Sequence, residues 1–298
     1  MERKNNVYKI VTDRIVQRIE QAIANGTELP WHRPWVASQA PRNYKTRIPY
    51  RGVNLYLLEF GHFYLTWNQL CDLQKQNPEV KLKKGSKAQI VVFFSFKKGV
   101  KDVVGKDGQV EQKEVDIPFL RYYNVYDSLD VENLPPLEDE QTFEHTPIEA
   151  AEQILMDYIE REEGLKLEYN DGQAAYYSPT LDLISLPRRE LFQTYARFFA
   201  TAAHEFVHST GAKRRLNRIK QTAHFGDESY SREELIADMG QNFIFAELGI
   251  DSTDVADNSI AYMRGWLKAL KDDVRMLVTA ASAAAKAVDY ILGRKATE

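Results

Sequence analysis

Apolar residues at Val7, Ile10, Val11, Ile15, Ile19, Ala22 and Ile23 recur at helical spacing and stop at Asn25-Gly26, which predicts an amphipathic opening helix. Its other face carries Lys9, Arg14 and Arg18. Leu29-Pro30-Trp31-His32-Arg33-Pro34-Trp35 breaks the period, because two prolines forbid a regular helix, and loop character continues through Gly52. Thr66 predicts the cap of a short helix reaching Gln74. The basic turn Lys81-Leu82-Lys83-Lys84-Gly85-Ser86-Lys87 leads into a β-rich run over 90–96. Lys106-Asp107-Gly108 signals a hairpin, and 121–126 reads as the returning strand. This half predicts α+β structure with a small antiparallel sheet.

The next stretch, Leu134-Pro135-Pro136-Leu137-Glu138-Asp139-Glu140-Gln141, has two prolines, an acidic run and no apolar period. It predicts a linker over 131–146 between a domain of residues 1–130 and one of residues 147–298. A helix over 147–163 follows, with Ile148, Ala151, Ile154, Leu155, Tyr158 and Ile159 on one face and a solvated acidic face opposite. Residues 174–187 read as a hairpin whose edge is placed to pair with an extended chain. A helix ending at Gly211 and a second starting at Ser231 come next. Helical spacing returns from Tyr262 to Val278, and alanine-rich 280–292 stops at Gly293. The expected fold is α+β in two domains.

Composition adds a class and charge adds a division. With 44% hydrophobic and 28% charged residues among 298, the chain is ordinary globular protein. It has no apolar run of about 20 residues that could span a bilayer, and its first residues lack a signal-peptide pattern, so a cytoplasmic location and no membrane partner are expected. Cys71 is the one cysteine, which excludes an intrachain disulfide and a cysteine-cluster metal site. Residues 1–130 hold 21 Lys and Arg against 14 Asp and Glu, a balance of +7, whereas residues 131–298 balance at −11. Only the first half is suited to a polyanion.

The candidate chemistry lies in Ala203-His204-Glu205-Phe206-Val207-His208-Ser209. On a helix, His204 and His208 share a face and can offer ring nitrogens to one metal ion, with Glu205 beside them as general base. Hydrolytic zinc sites use three protein ligands and leave a place for water. The class that takes its third ligand from a histidine six residues after the second is excluded, because Arg214 stands there. Glu234 is the remaining candidate, and Glu234 with Asp238 resembles the second motif of thermolysin-like metallopeptidases. Asp238 would then fix the tautomer of a ligand histidine. The competing role for Glu234 is to close a capping box with Ser231. His224 and Tyr230 are candidates for steadying an oxyanion. Zinc is the default metal, although two imidazoles and a carboxylate discriminate weakly among divalent ions.

Two motif sets now resemble one family. Val11-Thr12-Asp13-Arg14-Ile15, Pro30-Trp31, Trp35, Asn43, Tyr50-Arg51-Gly52-Val53-Asn54, Thr66, Lys83-Lys84-Gly85 and Val125-Tyr126 resemble the N-terminal domain of ArdC-type plasmid antirestriction proteins, which is shared with TraC primases. His204 to Gly211, Arg215-Leu216-Asn217-Arg218 and Arg232-Glu233-Glu234-Leu235 resemble the zincin-like metallopeptidase domain of the same family. The resemblance implies single-stranded DNA binding, an association with conjugation, and protection of incoming DNA from restriction. The residues agree on ligand class, since single strands are held by cations along phosphates and by rings stacked on bases. The pool is Trp31, Trp35, Tyr44, Tyr50 and Trp67 with Arg33, Arg42, Lys45, Arg47, Arg51, Lys83, Lys84 and Lys87. No zinc finger or helix-turn-helix signature points to duplex reading. The competing expectation is a protein without turnover that coats DNA or blocks a restriction enzyme, with the zincin domain as a metal-binding scaffold.

Overall fold

The computed structural model describes residues 7–26, 40–104, 110–135, 137, 148–172, 174–219, 228–248, 250, 255, 266–268 and 270–294. The opening period becomes helix α1 (Val7–Asn25), ended by Gly26 in the left-handed conformation that glycine adopts without steric cost. Val11, Ile15 and Ile19 are fully buried on its inner face. After strand β1 (Arg42–Asn43), helix α2 (Asn54–Leu57) and strand β2 (Phe63–Thr66) comes helix α3 (Trp67–Gln76). Thr66 caps α3 reciprocally with Gln69, so the predicted cap is a full capping box.

After strand β3 (Lys81–Leu82) the chain forms a long ribbon of β4 (Gln89–Val104) and β5 (Val110–Asp127), paired in register from Gln89↔Val125 to Val104↔Val110. It runs well past 90–96 and 121–126, because ladder bonds belong to the backbone and continue where apolar residues thin out. The expected turn at 106–108 lies outside the described residues. The sheet order is β1-β2-β5-β4, with β1 parallel to β2 and the other pairs antiparallel. The Asn54 amide closes the free edge of β4, accepting from Val92 N at 2.7 Å and donating to Val92 O at 2.9 Å. Strand β6 (Val131–Glu132) pairs back onto β3, and the Tyr44 hydroxyl donates to Pro135 O at 2.6 Å.

The second half opens with helix α4 (Ile148–Arg161) and strands β7 (Lys166–Asn170), β8 (Tyr176–Ser178) and β9 (Leu183–Pro187) in the order β7-β9-β8. The antiparallel β8–β9 pair is the predicted hairpin, with Asp182 at φ +50° in its turn and β8 at the sheet edge. Strand β7, parallel to β9, has no clear apolar signal in Lys166-Leu167-Glu168-Tyr169-Asn170. Helices α5 (Tyr195–Thr210), α6 (Glu228–Leu248) and α7 (Met276–Ile291) complete the described elements. The tail is less continuous than its spacing predicts. A turn at 273–275 intervenes, where Asp273 accepts from Arg275 N through its side chain and from Met276 N through its carbonyl, restarting the helix at α7.

One apolar cluster runs through both halves. Ile15 and Ile19 of α1, Tyr56 of α2 and Val92 of β4 belong to the same core as Phe199 and Phe206 of α5, Phe243 of α6 and Ala284 and Val288 of α7. Polar contacts follow the same seam: Thr12 Oγ1 donates to Val274 O at 2.9 Å, and Arg51 pairs with Glu247 at 3.1 Å and with Asp289.

Candidate metal centre

Helix α5 carries both histidines on one face. Their Nε2 atoms are 3.1 Å apart, and Glu234 of α6 stands over both, with carboxylate oxygens 3.5 Å from His204 Nε2 and 3.4 Å from His208 Nε2. Each Nδ1 faces a different acid: His204 faces Asp238 at 3.1 Å, and His208 faces Glu233 at 3.6 Å. If both Nδ1 atoms donate to those carboxylates, both Nε2 atoms present lone pairs to each other, which is repulsive unless a cation or a proton is shared. Two ligands at about 2.0–2.1 Å from a tetrahedral ion lie about 3.3 Å apart, so the observed spacing fits a common metal. His204, His208 and Glu234 also form the cluster whose donor atoms all fall within 4.8 Å of one another.

Glu234 reaches this position because α6 starts earlier than the sequence predicts. The helix begins at Glu228, so Ser231 is not its cap, and Glu234 sits in the interior, one turn before Asp238. Close packing of the two helices depends on Gly240, where an added Cβ would lie 2.6 Å from Val207 Cγ2. The outer partners are themselves held. Arg218 donates from Nη2 to Glu233 Oε1 at 2.8 Å and from Nε to Oε2 at 3.3 Å, and it also donates to Thr210 Oγ1 and Val207 O on α5. Burial opposes charge on Glu233, but His208 and Arg218 outweigh it and hold its carboxyl below the usual range. Burial would lower His204, yet Asp238 and Glu234 lift it to about 10. His208 is raised on the same pattern by Glu233 and Glu234.

Glu205 is buried beside the pair, and the backbone N–H of Tyr177 on edge strand β8 donates to its carboxylate. Burial pushes its carboxyl up, while both histidines pull it down without cancelling the rise. Behind it, the Arg215 side chain is 0% exposed. It donates to Ser209 O at 2.7 Å, to Tyr177 Oη at 3.0 Å and to Asp182. The end of α5 is thereby tied to the β8–β9 turn. Sequence reasoning assigned no role to Glu233, Arg215 or Arg218, although all three lie within the resembling motifs. Tyr230 falls within α6, and His224 lies outside the described residues.

The DNA-contact pool is divided. Trp31, Arg33 and Trp35 lie outside the described residues. Tyr44 and Tyr50 are core, each 7% exposed, and Arg51 is engaged with Glu247 and Asp289. The Arg47 guanidinium lies over the Tyr44 and Phe63 rings at 5.2 and 5.3 Å, and Arg42 is half-buried. Trp67 is 52% exposed against Tyr126, and Lys45, Lys83, Lys84 and Lys87 are exposed, with Lys83 Nζ donating to Leu129 O.

Residues 5–126 match the family described as the N-terminal domain of anti-restriction factor ArdC, and residues 153–283 match the family described as zincin-like metallopeptidase. By class, then, this is a two-domain α+β protein with a zincin-like C-terminal domain. The crystal structure of metal-free antirestriction protein ArdC from the R388 plasmid is similar at TM-score 0.67 and 32% identity, covering 96% of each chain. Its Mn(II)-bound form is similar at TM-score 0.68 and 30% identity over 97% of each. The chain belongs to the ArdC family of antirestriction proteins. Two Escherichia coli proteins called DNA primase TraC are each 30% identical to it, over 98% and 96% of this chain, but the chain spans only 20% and 27% of their lengths. The Sinorhizobium fredii protein y4eC is 29% identical over 96% of this chain and 91% of its own length. No helix among the described residues is long and apolar enough to cross a membrane.

Proposed function

We propose that this antirestriction protein binds single-stranded DNA through residues 1–130 and carries a metallopeptidase-type centre in residues 147–298. Its ligands are His204, His208 and Glu234, and zinc is the first choice of metal. The observation that carries the proposal is the convergence of two Nε2 atoms and one carboxylate, with a buried glutamate alongside. A divalent ion bound there supplies Lewis acidity and a water acidified to a pKa of about 7. Glu205 takes the proton of the attacking nucleophile and returns it to the leaving amine, a task suited to a carboxyl raised by burial. Asp238 and Glu233 hold the Nδ1 protons, so that each imidazole keeps Nε2 free. An extended peptide added along β8 would run beside Glu205. Tyr230 and His224 are the candidates for meeting the oxyanion.

The DNA reading rests on the matched N-terminal family, the likeness to TraC primases, the +7 balance of residues 1–130 and the exposure of Trp67, Lys84 and Lys87. In conjugation such a protein would coat entering single strands and shield them from restriction. Glu205→Gln is the test of the chemistry. It should keep the fold and the metal while abolishing hydrolysis of a host protein substrate. Antirestriction retained in that variant would mean that the centre is a scaffold and that protection comes from binding DNA or a restriction enzyme. Metal absent from protein purified without chelator, and not taken up on addition, would sink the metal assignment itself.

A further inference from the structure

Phe93 and Tyr123 stand side by side on the β4–β5 ribbon, 47% and 45% exposed, with ring centroids 5.6 Å apart in an edge-on arrangement. The register explains the pairing. Val91 opposes Tyr123 and Phe93 opposes Arg121, so Val91, Phe93, Arg121, Tyr123 and Val125 share one face. At one end this face is covered, because Val91 and Val125 pack with Tyr50, Leu58 and Tyr64 in a buried cluster. Farther along the same face Phe93 and Tyr123 are exposed. Phe119 lies there opposite Ser95, with the Arg121 guanidinium 4.8 Å above its ring. Trp67 is elsewhere, since it rests on Tyr126, which alternates to the other face of β5.

Contiguous exposed aromatic surface is a feature of interaction sites. The chemistry present favours one occupant. Flat ring faces accept any base face, and a guanidinium among them meets both a base and a phosphate. The face lies within residues 1–130, whose +7 balance attracts a polyanion, although that excess comes from outside the ribbon, since residues 89–127 hold six Lys and Arg against six Asp and Glu. We propose that Phe93, Phe119, Arg121 and Tyr123 form a stacking platform for the bases of a single-stranded nucleic acid, laid along the ribbon. The inference rests on the single-strand reading above and assigns it a surface that the sequence pool did not contain. Duplex is excluded from such a platform because paired bases hide the faces that rings stack on.

The test uses the full chain and a fluorescent oligothymidylate, with affinity read from anisotropy across a salt series. Phe93→Leu combined with Tyr123→Leu keeps the surface apolar but cannot stack. It should raise Kd at least about tenfold while leaving the salt slope and the thermal midpoint unchanged. Arg121→Gln should lower the slope by about one. An oligonucleotide carrying 5-iododeoxyuridine should photocrosslink to the peptide containing Phe93 or to the one containing Tyr123. A double variant that binds as tightly as wild type overturns the platform, as do crosslinks confined to peptides outside residues 89–127. So does a double variant that loses self-association in sedimentation but keeps DNA affinity, since a second copy of the chain would then own the face. Failure of the wild type to bind the oligonucleotide at all removes the parent reading instead, and the platform with it.

Discussion

Arg218 grips both carboxylate oxygens of Glu233, at 2.8 and 3.3 Å, while Glu233 faces His208 Nδ1 at 3.6 Å. The fork fixes Glu233, Glu233 fixes the imidazole, and the imidazole turns Nε2 toward Glu234 and His204 Nε2, the proposed metal position. Asp238 does the same for His204, facing its Nδ1 at 3.1 Å. The two histidines are thus oriented by different carboxylates of one helix, α6.

Arg218→Lys offers a point charge where a planar fork is needed, and Glu233→Gln removes the acceptor charge. Each should lower metal affinity by about 10–100-fold with the helices intact. Competition against a chromophoric chelator measures it, with circular dichroism as the control. Wild-type affinity in both variants would mean that the fork only ties Arg218 to α6.

Metal uptake should be coupled to proton release. In the metal-free protein His204 is lifted to about 10 and His208 is raised, so at neutral pH His204 is protonated and must lose that proton to ligate. Affinity should therefore rise with pH, about tenfold per unit per proton released, and the calorimetric enthalpy should differ between buffers of different ionisation enthalpy. The sign for folding is opposite. A folded pKa above the unfolded value of about 6.5 gives His204 a stabilising contribution that is complete below that pH and lost as pH rises through about 10. Metal-free protein should lose stability over that window, and the metal should restore it. Identical binding enthalpies in all buffers would contradict the coupling.

Replacing Arg215 by methionine leaves Asp182 and a carbonyl of α5 without their buried partner. The expected cost is about 3–5 kcal/mol, because removing one member of a buried ion pair strands the other. Arg214 also reaches Asp182 from a half-exposed position and will soften the loss toward the lower figure. Chemical denaturation gives the number, and a change under about 1 kcal/mol would show that the network carries little stability.

How far all this could be read from residues alone varied with the kind of interaction. Helical periods were legible, as α1 and the Thr66 cap show, because both signals are local. The shared face of His204 and His208 was legible for the same reason, since a separation of four residues on one helix defines it. Glu234 could be named but not decided, because its alternative as a cap turned on where α6 begins, and Ser231 looked like a sufficient start. The aromatic pool shows the limit. Tyr50 and Tyr123 are the same residue type in similarly polar surroundings, yet one closes a core and the other is open, which depends on what a β-sheet face meets across space. Arg51 was another such case, since its acids lie 196 and 238 residues away.

Ile15 of α1 is fully buried within the core shared with α5, α6 and α7. Truncating it to alanine should cost about 2–5 kcal/mol. Because the core is shared, calorimetry should show one unfolding transition that moves to lower temperature as a whole. Two transitions, with only the first displaced by Ile15→Ala, would mean that the halves melt independently.

The Arg51 bridge to Glu247 and Asp289 bears on how such proteins can be inherited. Family boundaries at 126 and 153 suggest a cassette joint at which recombination between plasmids could exchange one half for another. The charges cross that joint, so a crossover that imported a second half lacking both acids would leave a half-buried guanidinium without its two counterions. Recombinants should therefore persist mainly when the exchanged halves already agree at 51, 247 and 289. The two halves would then descend as one inherited unit, although their sequence motifs can be recognised separately.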